Sequence, residues 1–396
     1  MIRLAFIVSH PIQYYAPLYR RLAQRDDLEI KVFFTWHGGG AQIDHGFKKE
    51  VAWDLPLTEG YDYEVIYNFA RDPGSHHFFG LRNPSLVQRV LDWRPDAVHV
   101  TGYAYASHLG AIRTLARRRI PVLFRGDSHL LDERQAGWRW HFKRAVLSKI
   151  YSWPTAFLYV GEANKEYYRR LGVPEEKLYY CPHSIEVERF AEPDVEWEQQ
   201  AMAWKAELKV GSDKFVLLYA GKFEGKKRPL PLMKALLEYP DPRLLLVMVG
   251  DGELGPQVRE MASLHPQRFR VVPFQNQSRM PVVYRLGDLV VLPSSMGETW
   301  GLAVNEALAC GRAVILSDRV GCHPDVIRTE ESGKVFAVDD WADFCKKLAS
   351  FHFTRDDAVR EKIKKWAVNW SIKNTEDTLV ETLRQLVPKH SKSRDL

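Results

Sequence analysis

The densest chemistry in this sequence lies in one stretch, Pro293-Ser-Ser-Met-Gly-Glu-Thr-Trp-Gly-Leu-Ala-Val-Asn-Glu-Ala-Leu-Ala-Cys-Gly311. A short apolar strand, Leu289 to Leu292, runs into a glycine-containing loop, and helix-forming residues take over near Gly301. The first N–H groups of a helix lack intrahelical partners and sit at the positive end of its dipole, so such a start attracts anions. Glu298 and Glu306 stand eight positions apart, the first in the loop and the second about one and a half turns into the helix. Carboxylates so placed can each grip hydroxyls, one on a sugar ring and one on a ribose. The plainer alternative is a solvated acidic loop followed by an ordinary helix glutamate. Glu306, however, is set among Leu302, Ala303, Val304, Ala307 and Leu308, where a buried carboxylate needs a polar partner.

A second cluster reads Tyr219-Ala-Gly221-Lys222-Phe-Glu-Gly-Lys-Lys227-Arg-Pro. Cations that follow a strand-ending glycine suit a diphosphate: each lysine supplies point charge, and the glycine admits close backbone approach. A surface lysine patch is the alternative, and Lys226 and Arg228 fit either reading. Val249-Gly-Asp-Gly252-Glu253 and Phe274-Gln275-Asn-Gln277 each follow a strand, and a tight turn and a core phenylalanine would explain them equally well. In the first half, Ser9-His10-Pro-Ile-Gln13-Tyr-Tyr15 occupies the first strand-to-helix loop. Phe124-Arg125-Gly-Asp127-Ser-His129 bunches polar groups around a glycine after another strand. Arg125 and Asp127 could instead form a structural ion pair.

Glu298-x7-Glu306, preceded by Pro293-Ser294 and followed by Ala307-x-Ala309-x-Gly311, resembles the signature of the family 4 glycosyltransferases. The resemblance extends over most of the chain and is stronger in its second half. It implies the α/β GT-B fold, two Rossmann-like doubly wound domains facing each other across a cleft, and a sugar transferred from a nucleoside-diphosphate sugar with retention. By the same resemblance, Glu298 contacts the transferred sugar and Glu306 the ribose, while the amides of Thr299, Trp300, Gly301 and Leu302 approach sugar and diphosphate. Gly221, Lys222 and Lys227 match the family's diphosphate loop, although the family more often has Arg at the first basic position. Gly252 would lie beneath the nucleotide, and Phe274 and Gln275 would hold the base. Asp127 and His129 would stand near the reactive face of the sugar. His10, Gln13 and Arg125 are placed on the acceptor side, where the family is often Gly-rich and this chain has His, Pro and Gln.

Retention in this family is usually explained by front-side displacement, in which the leaving diphosphate takes the proton of the acceptor hydroxyl. No DxD-like metal motif is evident, so no cofactor and no metal are expected beyond the co-substrate, with the two lysines in the metal's place. The acceptor is expected to be a glycan, a lipid-linked sugar or a small molecule. Two alternatives remain: a sugar-nucleotide epimerase or hydrolase of the same fold, and a non-catalytic sugar-binding partner of a glycan assembly complex. A nicotinamide dehydrogenase is disfavoured because no GxGxxG follows the first strand.

These residues need rigid elements to position them. At 396 residues, with 45% hydrophobic and 27% charged residues, the chain fits two ordinary globular domains. Short aliphatic runs alternate with helical stretches, the pattern of parallel sheets covered by helices. Strands are expected at 3–8, 29–34, 97–101, 121–125 and 156–160, and again at 215–220, 244–249, 270–273, 288–292, 313–317 and 334–338. Between the two series an acid-rich, Pro-containing stretch reads as a linker. The expected boundaries are 1–190, a linker 191–212 with a short helix near 196–208, and 213–370, with a helix about 370–390 packing back on the first domain. The four cysteines lack zinc or CxxC spacing and read as reduced thiols in a cytoplasmic protein. The N-terminus reads as a first strand rather than a signal peptide, and no apolar run is long enough to span a bilayer.

Net charge is +6, yet residues 111–150 alone hold ten Lys/Arg against three Asp/Glu. The basic character is therefore local. Within the segment 137–153, Trp138, Phe142 and Ala145 share one helical face, and Trp140, Arg144 and Leu147 another. Aromatics mixed with cations suit a helix lying on an anionic membrane surface, which would make the protein peripheral on the inner membrane face. The alternative is a helix packed on the sheet with a solvated basic side. Nucleic acid is not expected as a partner, because no recognised binding module accompanies the charge.

Overall fold

The computed structural model describes residues 1–37, 42–44, 49–51, 54–133, 135–351 and 356–387. Arg134 and the polar tail 389–396 lie outside the described residues. The chain divides into two units, one of residues 1–40, 56–183 and 372–396, the other of residues 41–55 and 184–371.

In the first unit, Leu4, Phe6 and Val8 pack on one side of the sheet and Ala5 and Ile7 on the other, all essentially without solvent contact. A strand apolar on both faces belongs inside a parallel sheet covered on both sides by helices. Seven parallel strands form that sheet in the order Tyr63–Val65, Leu28–Phe34, Ile2–Val8, Ala97–Thr101, Val122–Arg125, Ala156–Tyr159 and Leu178–Tyr180. The helix Ile372–Leu386 returns to this unit and lays Ile372, Leu379, Val380 and Leu383 on the same face as Leu4 and Phe6. Its Glu376 accepts from Arg21 and Arg25 on or beside the helix Ala16–Ala23.

The second unit repeats the design with six parallel strands, Phe269–Val272, Leu244–Val249, Phe215–Ala220, Leu289–Leu292, Ala313–Ser317 and Gly333–Phe336. Every residue of Leu244–Val249 is buried, and burying one such aliphatic side chain contributes about 1.5–3 kcal/mol. Both sheets build outward in one direction from their first strand and then reverse. Ligands of such sheets bind at the carboxyl ends of the two strands flanking that reversal. In the second unit these strands are Phe215–Ala220 and Leu289–Leu292, which deliver Gly221-Lys222 and Pro293-Ser294. In the first they are Ile2–Val8 and Ala97–Thr101, the former delivering Ser9-His10.

The stretch expected to be a linker is folded. Val187–Ala191 and Asp194–Glu207 are helices that pack on the second unit. Phe190 is fully buried, and Asp194 binds the buried guanidinium of Arg285. Among the described residues no helix is long and apolar enough to cross a membrane.

Candidate functional site

The loop after Leu289–Leu292 is held in shape by its neighbours. Ser295 N–H donates to the Lys226 carbonyl (2.8 Å), Gly321 N–H to the Glu298 carbonyl (2.9 Å) and Cys322 N–H to the Trp300 carbonyl (3.0 Å). Gly301 precedes the helix Leu302–Ala309 with φ +97°. A Cβ there would stand 2.9 Å from Val320 and 3.2 Å from Leu292, so both the left-handed backbone and the tight packing require glycine. Trp300 is buried and donates its indole N–H to Asn305 Oδ1 at 3.1 Å. The helix start at 299–302 is thereby fixed from both sides.

Lys227 and Glu298 meet directly. The ammonium of Lys227 donates to Glu298 Oε2, and Ser294 Oγ donates to the same oxygen at 3.1 Å. Both charged side chains are largely shielded, at 17% and 16% exposure, where charge acts more strongly than in bulk water. A lysine ammonium carries three donors, of which this contact uses one. Two neighbouring cations are committed locally: Lys226 to Glu224 at 3.2 Å and Arg228 to Asp339 at 2.6 Å. Lys222 lies in the same loop, its carbonyl accepting from the buried Tyr219 hydroxyl at 2.7 Å. Burial first, then the nearby charges of Glu298 and Glu224, push the Tyr219 phenol well above its usual range, so it stays a donor.

Gly252 packs on the same loop. Its missing side chain leaves room for the Phe223 backbone, whose carbonyl would stand 2.8 Å from a Cβ. Phe223 N–H donates to the Asp251 carbonyl, and Leu254 N–H to the Phe223 carbonyl, both at 2.9 Å. Glu306 points inward, 2% exposed, and its Oε2 accepts from the Tyr284 hydroxyl at 2.7 Å. The polar partner this glutamate required is thus Tyr284. Phe274 and Gln275 are half-buried after the edge strand Phe269–Val272, one strand removed from Phe215–Ala220. Gln275 donates its side-chain N–H to the Pro273 carbonyl at 3.0 Å.

In the first unit, His10 sits at the reversal point, its Nδ1 2.9 Å from Ser9 Oγ and its ring edge-on to Trp36. Burial pulls its pKa down, which keeps it neutral at pH 7. Gln13 is half-buried just before the helix Ala16–Ala23. Arg125, expected on the acceptor side, is 3% exposed and turned into the unit. It donates to the carbonyls of Cys181 (2.7 Å) and Pro182 (3.1 Å), so it positions that segment.

His129 is buried, its Nδ1 accepting from Leu131 N–H at 3.2 Å. The loop between Arg125 and His129 is pinned by Tyr168 on the Gly126 carbonyl (3.0 Å) and Asn164 on the Ser128 carbonyl (2.7 Å). Asp127 pairs with His183, Oδ2 to Nε2 3.8 Å. Burial pulls the His183 pKa down in spite of that carboxylate.

The structure therefore gathers Lys227, Glu298, the Lys222 loop, Gly252 and the helix start within one unit, and Asp127 and His129 on one loop of the other. Sequence reasoning missed Ser294 as a Glu298 partner, although it stood in the quoted stretch. It also missed Tyr284 and His183, which carry no local signal because each meets its carboxylate from a distant element.

Residues 201–370 match the family described as glycosyl transferases group 1, and residues 58–182 match the glycosyl transferase 4-like domain. The chain belongs to glycosyltransferase family 4. Among its relatives is the D-inositol 3-phosphate glycosyltransferase of Saccharomonospora viridis, 31% identical over 199 residues that make up 46% of each chain. The match therefore spans about half the length of that relative. Another relative is the N,N'-diacetylbacillosaminyl-diphospho-undecaprenol alpha-1,3-N-acetylgalactosaminyltransferase of Campylobacter jejuni, 24% identical over 335 residues, 81% of this chain and 84% of that one. Among solved structures, Anabaena HepE in complex with UDP and glucose superposes with a TM-score of 0.68 at 16% identity, covering 97% of this chain and all of that one. WaaG, a glycosyltransferase involved in lipopolysaccharide biosynthesis, gives 0.64 at 14% identity over 96% and 99% of the two chains. At these identities the structural likenesses establish the GT-B fold of this family 4 chain, a Rossmann-like pair of α/β units.

Proposed function

We propose that this family 4 chain is a retaining glycosyltransferase that moves a sugar from a nucleoside-diphosphate sugar, UDP- or GDP-linked, to an acceptor hydroxyl. The observation that carries the reading is the shielded Lys227–Glu298 pair beside the start of helix Leu302–Ala309, at the strand-order reversal of the second sheet. In the proposed step the acceptor oxygen bonds to the anomeric carbon as the bond from that carbon to the diphosphate oxygen breaks. The hydroxyl proton passes to the departing diphosphate. Lys222, Lys227 and the amides of Thr299–Leu302 stabilise the growing negative charge, and preorganised charge of this kind is commonly the largest catalytic contribution. Glu298 holds the transferred sugar, and the buried Glu306 fixes the ribose end. The two lysines take a metal's part, so turnover should survive EDTA and gain nothing from magnesium. Asp127, His129, His10 and Gln13 are assigned to sugar and acceptor.

The test is a thermal-shift screen against UDP-, GDP-, ADP- and TDP-sugars, followed by transfer assays, since a ligand that binds the folded state raises its melting point by mass action. One nucleotide series should stabilise the chain and yield product only with an acceptor. Product without acceptor would mark an epimerase or hydrolase, and binding without product across an acceptor panel would mark a sugar-binding partner.

A lipid-linked acceptor is favoured by the helix Gly137–Tyr151. It buries Trp140, Leu147 and Tyr151 while exposing Trp138, Phe142 and Val146 beside Arg139, Arg144 and Lys149. Exposed aromatics among cations suit an anionic membrane surface. Replacing Arg139, Lys143 and Arg144 together should abolish binding to anionic liposomes, and unchanged binding would remove the membrane from the proposal.

A further inference from the structure

Outside the donor site, the segment 68–82 of the first unit forms a loop closed on itself. Phe69 N–H donates to the Arg82 carbonyl (2.8 Å) and Gly74 N–H to the Gly80 carbonyl (3.1 Å). Asn68 clamps both arms, donating to the Gly80 carbonyl (2.7 Å) and accepting from Ala70 N–H (3.1 Å) and Arg82 N–H (2.9 Å). Tyr105 ties the tip from outside, its hydroxyl donating to the Ser75 carbonyl at 3.2 Å.

This loop brings three metal-ligating side chains to one point. Asp72 Oδ2 lies 3.0 Å from His76 Nε2 and 3.4 Å from His77 Nε2. All three ligand atoms fall within 4.8 Å of one another. The two imidazole rings stand nearly perpendicular, centroids 4.6 Å apart. Zinc binds histidine nitrogen and carboxylate oxygen at about 2.0–2.2 Å, which in a tetrahedron places neighbouring ligands about 3.3 Å apart. The His77 separation falls on that edge, and the His76 separation, a hydrogen bond in the metal-free site, would open by a few tenths of an ångström. All three side chains reach solvent, leaving a fourth position for water.

We propose that Asp72, His76 and His77 form a binding site for a divalent transition ion of the zinc class, with an open fourth position. The ion would replace the carboxylate–imidazole contacts, and the 3.0 Å contact of His77 Nε2 with the Asp72 carbonyl, with three coordinate bonds and lock the tip of the 68–82 loop. This site is built from first-unit residues alone and calls for no metal in sugar transfer.

Calorimetric titration of the full chain, first stripped with EDTA, with Zn²⁺ tests it. One equivalent should bind and raise the melting temperature. Cobalt should give the intense visible band of four-coordinate Co²⁺. His76→Ala and His77→Ala should each weaken Zn²⁺ binding by about tenfold or more, since even residues one step behind a metal ligand cost 10–100-fold. Asp72→Asn, which keeps the side-chain shape, should weaken it too and guards against loss of folding in the histidine variants. Absence of stoichiometric binding, or binding unchanged in the His76→Ala/His77→Ala double variant, would overturn the site.

Discussion

The two units share one sheet design but keep their interiors polar in different ways. In the first, the buried titratable groups include imidazoles and phenols kept neutral by burial: His99 and His108, with Tyr19, Tyr167 and Tyr168. In the second they include charges held in pairs. Arg285, without solvent contact, donates to Asp194 (2.6 Å), the Pro281 carbonyl (2.9 Å) and Cys310 Sγ (3.3 Å), and Arg312, 2% exposed, binds Glu198. A buried charge is tolerated only when paired and hydrogen-bonded, whereas a buried imidazole avoids the cost by staying neutral. The difference teaches that the unit bearing Lys222 and Lys227 is also the one that buries guanidinium groups against carboxylates, whereas the buried Arg125 of the first unit is held by main-chain carbonyls and the partners of Glu376 reach solvent.

The comparison can be broken at several points. The largest stability effect is expected from Asp194→Ala. It strips partners from Arg285 and Lys364 and leaves a buried guanidinium short of its counter-charge, a loss of about 3–5 kcal/mol. Denaturant unfolding measures it, and a change below about 1 kcal/mol would show that the pair contributes little.

On activity, Glu298→Gln should lower kcat by about a hundredfold or more, as for removal of one preorganised transition-state contact. His10→Ala in the first unit should cost far less. Equal losses would erase the division of roles between the two reversal points.

Acid should separate the units next. Burial pushes the His99 pKa to about 3 and, chiefly by the same cause, His108 to about 4, against an ordinary 6.5. Between those values the unfolded chain binds protons that the folded chain refuses, so stability is present above pH 6.5 and is lost as pH falls toward 4. The slope is about 1.4 kcal/mol per pH unit for each histidine. In the second unit, burial alone would raise the Asp194 pKa, but Lys364 and Arg285 hold it below its ordinary 3.8, so its contribution is lost only at lower pH. Hydrogen exchange on peptides from each unit, compared at pH 7 and pH 5 after correction for intrinsic rates, should show protection falling first in the first unit.

The smallest expected effect is Lys227→Ala, which should raise the dissociation constants of nucleotide-sugar donor and free nucleoside diphosphate together, by about tenfold, the loss of one charge-assisted contact. A change in the donor's constant alone would move Lys227 from the diphosphate to the sugar.

Much of this was legible in the sequence for a physical reason. Strands buried on both faces, such as Leu244–Val249, are unbroken apolar runs, and the strand-to-helix loops carrying Lys222, Lys227 and Glu298 follow directly from them. The edge strands Tyr63–Val65 and Leu178–Tyr180 were not legible, being three residues long and half open to solvent. The stretch 191–212 read as a linker because its acids and proline look like solvated chain. Asp194 and Glu198 instead neutralise Arg285 and Arg312, 91 and 114 positions away. Tyr284 and His183 were hidden likewise, since a carboxylate's partner from another element leaves no local pattern.

The helix Ile372–Leu386 bears on how the chain reaches its native state. The sheet built around Ile2–Val8 leaves the ribosome before that of the second unit, yet one of its faces is covered in part by Leu379, Val380 and Leu383, which follow the second unit in the chain. The unit made before the other is therefore sealed after it, and until synthesis reaches residue 383 that apolar face has only the cover of Leu18, Tyr19 and Leu22 from the helix Ala16–Ala23.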